Sequence, residues 1–222
     1  MPFILDGDLP KSDYFTNNFS NKLSDEDGET HTVVAGRLIG LSINDIECLA
    51  KNRIHIHLYN ESYESAKNDF FRQAKIVAPN HFHLHKHCSP RKWTEEFSKY
   101  DIGWLHCFDS ENYGSYDKVS WNDLNIPARL STMMAAGIPT IQKDNSQHIT
   151  AMFSYVKERK CGVFYTDIKD LICKLKDIEN IRRIRENVLK HRMESSFDYH
   201  VQNLIEYFRK VIKNKEDEQN NT

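Results

Sequence analysis

Two arginines in this chain stand where a positive charge could meet a bound anion. Arg37 follows Gly36 at the end of a short apolar run, TVVAGRL. A guanidinium there can clamp a leaving diphosphate and stabilise the charge that develops as it departs. It can equally be a surface arginine. Arg129 stands at the start of a helix led by Pro127 and Ala128, with Ser131 and Thr132 adding hydroxyls just beyond it. A helix N-terminus presents free N–H groups and partial positive charge, which suits phosphate. Most helix–glycine–strand units simply pack, and these residues by themselves leave both readings open.

Other side chains offer less. His81, His83, His85 and His87 alternate, so a regular strand would show them on one face. Histidines at i and i+2 can ligate zinc, and Cys88 is adjacent. No carboxylate or further cysteine stands at a recognisable spacing, so no metal is expected. His87, at the strand's end, is better placed for a base edge or a sugar. Asp109 and Glu111 suit sugar hydroxyls or plain loop solvation, and Asp123 is a further acidic candidate. Nothing marks a general base.

The elements that must position these residues alternate regularly. Apolar runs at 32–38, 54–59, 82–87, 101–108, 138–141 and 162–165 read as strands. Between them stand helical segments: one capped by Ser42 or Asn44, one over 62–78, one opened by Ser89-Pro90, the Pro127 helix, and one over 149–158. Gly137 is placed to cap the Pro127 helix, with Pro139 beyond it. Segment 109–124 is a long loop, and such loops are more often functional than idle. A helix from Asp167, a basic helix to Arg192 and an amphipathic helix striped by Leu204, Tyr207, Phe208 and Val211 complete the chain.

Strand–helix alternation of this kind predicts an α/β, Rossmann-like parallel sheet with helices on both faces. Ligands of such sheets bind outside the carboxyl ends of the strands. That rule selects Gly36 and Arg37, Tyr59 and Asn60, Lys86 and His87, residues 109–111 and the Pro127 helix start. Residues 1–30 read as a linker-like segment, 31–212 as one domain, and 213–222 as a charged, asparagine-rich tail of disordered type.

Composition narrows the class. With 222 residues, 39% hydrophobic and 28% charged, the chain can build a core beneath a very polar surface. A net charge of −2 gives no field for nucleic acid, which is not an expected partner. No run of about 18 apolar residues is present, so no membrane-spanning helix is expected. Five widely spaced cysteines without a C-x-x-C pair fit reduced thiols of a cytoplasmic protein. Arg182, Arg183, Arg185, Lys190 and Arg192 form a basic helix that suits either a solvated face or peripheral contact with an anionic membrane.

Residues 125–141, NIPARLSTMMAAGIPTI, resemble the donor-nucleotide segment of GT-B fold glycosyltransferases of the retaining type, in which a proline-led helix ends in Ala-Ala-Gly-x-Pro and a strand. The resemblance implies the C-terminal, donor-binding half of such an enzyme, which transfers a sugar from a nucleotide diphosphate sugar to an acceptor hydroxyl. It implies a donor-binding set of Gly36, Tyr59, Lys86, His87, Glu111, Pro127, Ala128, Arg129, Ser131 and Thr132, with Arg37 helping the diphosphate leave. It implies no cofactor beyond the donor substrate. Its partner would be an acceptor-binding N-terminal domain, in the same full-length protein or in another chain. Leu124 and Thr132 stand where many members carry glutamates, and Gly40-Leu41 where a lysine is usual. Pro127-Ala128-Arg129 resembles the Pro-x-Lys of other members. A GT-B-like nucleotide-sugar epimerase and a non-catalytic nucleotide- or partner-binding module remain as alternatives.

Overall fold

In the computed structural model, residues 9–60 and 68–220 are described, with side chains to residue 215. Six strands are present: β1 (Thr30–Ala35), β2 (Ile54–Tyr59), β3 (Phe82–His85), β4 (Ile102–Trp104), β5 (Thr140–Lys143) and β6 (Gly162–Tyr165). All pair in parallel, in the order β3-β2-β1-β4-β5-β6. The helices are α1 (Ser24–Asp27), α2 (Ile43–Lys51), α3 (Asp69–Val77), α4 (Trp93–Phe97), α5 (Trp121–Leu124), α6 (Arg129–Ala135), α7 (Ala151–Arg159), α8 (Ile168–Lys176), α9 (Ile178–His191) and α10 (Phe197–Asn220). This is the expected Rossmann-like α/β architecture.

Alternation along each strand sends side chains into two cores. Val34, Ile54, Ile56, Leu58, Phe82 and Trp104 meet α2, α3 and α8 on one face. Val33, Leu105, Met133, Ile138 and Val156 meet α4, α6 and α7 on the other. The sequence IHIHLY of β2 therefore buries aliphatic residues on the first face and His55, His57 and Tyr59 on the second.

Several ends have readable causes. Ser42 caps α2 in a reciprocal box with Asp45. Asn68 caps α3; residues 62–67 of the longer helix expected there lie outside the described residues. Gly137 closes α6 at φ 64°: its N–H donates to Met134 O and that of Ile138 to Met133 O, a Schellman turn. The following strand pairs over Thr140–Lys143, two residues later than the apolar run suggests, because residues 138 and 139 finish that turn.

Other expectations shift in the structure. Loop 109–124 contains α5, capped by a Ser120–Asp123 box. The linker-like segment is stitched down: Phe15 is buried, and the Tyr14 ring packs on Trp93 at 5.8 Å. Arg192 is 5% exposed and donates to the carbonyls of Ala135, Phe15 and Thr16, so it lies inside the domain and outside any basic surface. Helix α10 continues through Asn220, into the segment whose composition pointed to disorder; Lys, Glu and Gln are good helix formers. Its Ile205, Phe208, Val211 and Ile212 are exposed. Among the described residues no helix is long and apolar enough to cross a membrane.

Candidate functional site

The strand order reverses between β1 and β4, which opens a crevice at their carboxyl ends. After β1 the chain turns at Gly36 (φ 100°), whose N–H donates to Tyr59 O at 2.8 Å. Arg37 follows and is exposed. Gly40 (φ 86°) then brings the loop against the segment leaving β4. A Cβ there would lie 1.4 Å from Cys107 O, so only glycine permits the approach. The contact is closed by Cys107 N–H donating to Ile39 O at 3.3 Å.

Arg129 enters this crevice from the start of α6. Its side chain is 7% exposed, and Nη2 donates to the Arg37 carbonyl. A Cβ on Gly36 would meet Nη2 at an ordinary contact distance of 3.6 Å, so it is the positive φ rather than the guanidinium that calls for glycine there. Nη1 is buried and has no hydrogen-bond partner. Burial pushes Arg129 down to about 10, and Arg37 adds repulsion. Neither arginine forms an ion pair among the described residues, where eleven other pairs occur.

His106 joins the two guanidiniums. Burial, then Arg129 and Arg37, hold its imidazole down at about 4. It is therefore neutral at pH 7 and can donate one hydrogen bond. Beside this cluster lies a pocket of about 370 Å³ lined by Gly40, Leu41, Cys107, Asp109, Lys143 and Tyr165. Lys143 pairs with Asp109 at 3.1 Å across its rim. A larger cavity of about 740 Å³ opens among α7, α8 and α9, lined by Lys157, Gly162, Phe164, Arg183 and Asn187. It lies away from the crevice where the unpaired cations meet, so its size does not make it the site.

The expected residues divide in the structure. Gly36, Arg37 and Arg129 come together, with Pro127 and Ala128 leading into them. The N–H groups of Leu130 and Ser131 already donate to Pro127 O and Ala128 O, so side-chain charge supplies most of the anion-binding capacity. Ser131 and Thr132 are 4% and 5% exposed, packed within α6. Tyr59 reaches the crevice only through its carbonyl. Its hydroxyl bonds Glu96 and Tyr100, and burial holds it well above the usual phenol range. Lys86 and His87 are exposed beyond β3, two strands from β1, and Glu111 is exposed on the long loop.

Asp123 is committed elsewhere. Its carboxylate accepts from Ser120 N at 2.8 Å and Ser120 Oγ at 2.9 Å. Burial opposes its ionisation, yet hydrogen bonds from Ser110, Ser120 and Asn112 hold the carboxyl below its usual range. His106 was missed because the run DIGWLHCF reads as one strand to Phe108. Pairing ends at Trp104, which moves the carboxyl-end positions back to Leu105, His106 and Cys107.

No family model matches the chain. No curated protein matches it either. Among solved structures the chain is similar to the C-terminal CMP-Kdo binding domain of WaaA from Acinetobacter baumannii. The TM-score is 0.44 at 10% identity, over 75% of this chain and 88% of that one.

Proposed function

We propose that this chain is the donor-binding domain of a glycosyltransferase and holds the diphosphate of a nucleotide sugar at the β1–β4 crevice. The observation that carries this reading is the buried, unpartnered Nη1 of Arg129, next to Arg37 and without a carboxylate partner. A buried charge without a counter-ion costs stability. A bound dianion supplies the missing partner and accepts the free N–H. During transfer the bond from the sugar's anomeric carbon to the diphosphate oxygen breaks, and the electron pair leaves with the nucleoside diphosphate. The acceptor oxygen bonds that carbon, and its proton passes to the departing phosphate or to a base on the acceptor-binding partner. Arg37 and Arg129 counter the charge growing on the diphosphate, and His106 donates one hydrogen bond. Lys86 and His87 face the base or sugar.

A second reading, a non-catalytic nucleotide-binding module, is favoured by Thr132. It stands at a position where many GT-B enzymes carry a sugar- or ribose-binding glutamate, and it is buried in α6.

Thermal unfolding with UDP, GDP, ADP, CMP and their sugar conjugates tests the binding. A ligand at a hundred times its Kd stabilises the fold by about 2.7 kcal/mol, roughly 5–10 °C for a domain of this size. One nucleotide is expected to give that shift, and Arg37→Ala, at an exposed position, to reduce it without changing the unliganded Tm. An equal shift in the variant, or none with any nucleotide, overturns the reading. Sugar release from the bound donor on adding the acceptor-binding partner separates transferase from module.

A further inference from the structure

The second face of the sheet carries an imidazole layer that runs along β1, β2 and β3, from His31 and His55 near their amino ends to His85 at the carboxyl end of β3. Register sets His31 beside His55, His57 beside His83 and Tyr59 beside His85. The rings stack in pairs, His31 on His55 at 4.2 Å and His57 on His83 at 4.3 Å. Aliphatic residues fill the opposite face of the same strands. Burying polar rings in their place carries a desolvation cost, which a ligand for those rings offsets.

At the amino edge of this layer, ligand atoms from the residues just before β1 and β3 and from the start of β2 converge. Glu29 Oε2 lies 2.7 Å from His55 Nε2 and 3.2 Å from His81 Nε2. The three ligand atoms all lie within 4.8 Å of one another. Glu29 and His81 side chains are 18% and 24% exposed, which leaves an ion a way in and room for water. The outer groups are placed to orient the ligands. Arg53 Nε donates to the other carboxylate oxygen at 2.8 Å, and His55 Nδ1 lies 3.0 Å from His83 Nε2.

We propose that Glu29, His55 and His81 form a site for a divalent transition metal of the zinc class, with water as the fourth ligand. Two imidazole nitrogens and one carboxylate are a zinc donor set. Bonds of about 2.0–2.1 Å put tetrahedral ligand atoms about 3.3 Å apart, so the Glu29–His55 contact lengthens by about 0.6 Å, the Glu29–His81 contact hardly changes, and the two imidazole nitrogens, within 4.8 Å, settle to the same spacing. No proton need leave the protein. His55 moves its proton from Nε2 to Nδ1, which then donates to His83 Nε2, and the His83 proton moves to its own Nδ1. His81 changes tautomer in the same way. The alternation of His81, His83, His85 and His87 beside Cys88 allows a zinc set along one strand, although no metal is expected from it. Instead His87 is exposed beyond the strand, and Cys88 is buried with Sγ against Ser89 O. The site draws Glu29 and His81 from the approaches to β1 and β3 and His55 from β2 between them, and so ties the two loops to the sheet.

The test is Co2+ and Zn2+ titration of the full chain after chelator treatment. The expected result is one equivalent bound, visible bands of tetrahedral Co2+ displaced by Zn2+, and a raised Tm. His81→Ala and Glu29→Gln, both at partly exposed positions, should lose the bands. His83→Ala should weaken affinity by about 10–100-fold, and His87→Ala should leave binding unchanged. Absence of stoichiometric binding by the wild-type chain overturns the proposal. So do unaltered cobalt bands in His81→Ala, which would assign the ion to other ligands.

Discussion

Arg129 and His106 show what a single residue contributes to the crevice and what it reveals. Arg129 was legible because proline, a basic residue and a glycine stop stand at fixed spacing in one short segment. His106 was not, because a continuous apolar run does not say where strand pairing stops. Its depressed pKa has a measurable consequence. A diphosphate bound beside it replaces net positive surroundings with negative ones and raises its pKa above about 4. The complex then binds more protons than the free protein, so this residue strengthens binding as pH falls between the two pKa values. The phosphate's own second ionisation, near about 6, opposes this, so the comparison must be between proteins. Calorimetry of the stabilising nucleotide in two buffers at about pH 5.5 should show proton uptake in the wild type that His106→Gln loses. Identical uptake in both proteins would remove His106 from the site.

Elements were readable wherever their signals are local. The Ser42 box, the Gly137 turn and the alternation of β2 follow from residues within a few positions of one another. What escaped depends on distant partners. The histidine layer requires the register of three strands. Arg192 reads as part of a basic helix face, yet α9 ends at His191 and helical periodicity no longer governs the next residue. Its guanidinium instead joins the last turn of α6 to the N-terminal segment, donating to Ala135 O at 2.7 Å, Phe15 O at 2.8 Å and Asn17 Oδ1 at 3.1 Å. Arg192→Ala strands several buried carbonyls, and each costs about 1–3 kcal/mol. A total loss of roughly 3 kcal/mol or more should lower Tm by about 6–12 °C. Arg192→Lys should recover little of it, because a compact ammonium cannot span acceptors that the planar fork reaches. Full recovery by lysine would show that charge, rather than geometry, holds the segment.

At the scale of the molecule, the sheet separates two regions of unusual polarity. Unpaired cations gather at the carboxyl ends of β1 and β4, and stacked imidazoles run along β1 to β3 on the second face. A further, partly buried cation lies in neither. Lys22 donates to Tyr100 O, and burial, followed by Arg185, pushes its ammonium down to about 7. The unfolded chain, with a lysine near 10.5, binds more protons than the folded one between those values. Stability should therefore rise with pH above about 7. The buried thiols act in the opposite sense. Burial holds Cys107 and Cys161 up at about 12, against about 9 when exposed, so folding retains their protons and stability falls above about pH 9. The two effects together place a maximum in the stability curve near pH 9. Urea unfolding midpoints from pH 6.5 to 10.5 should trace that maximum. Lys22→Met should flatten the rise between pH 7 and 9 while leaving the alkaline fall in place. A wild-type curve that declines from pH 7 onward, or a variant with an unchanged rise, would mean that the lysine keeps its proton in the fold through charges that outweigh its burial.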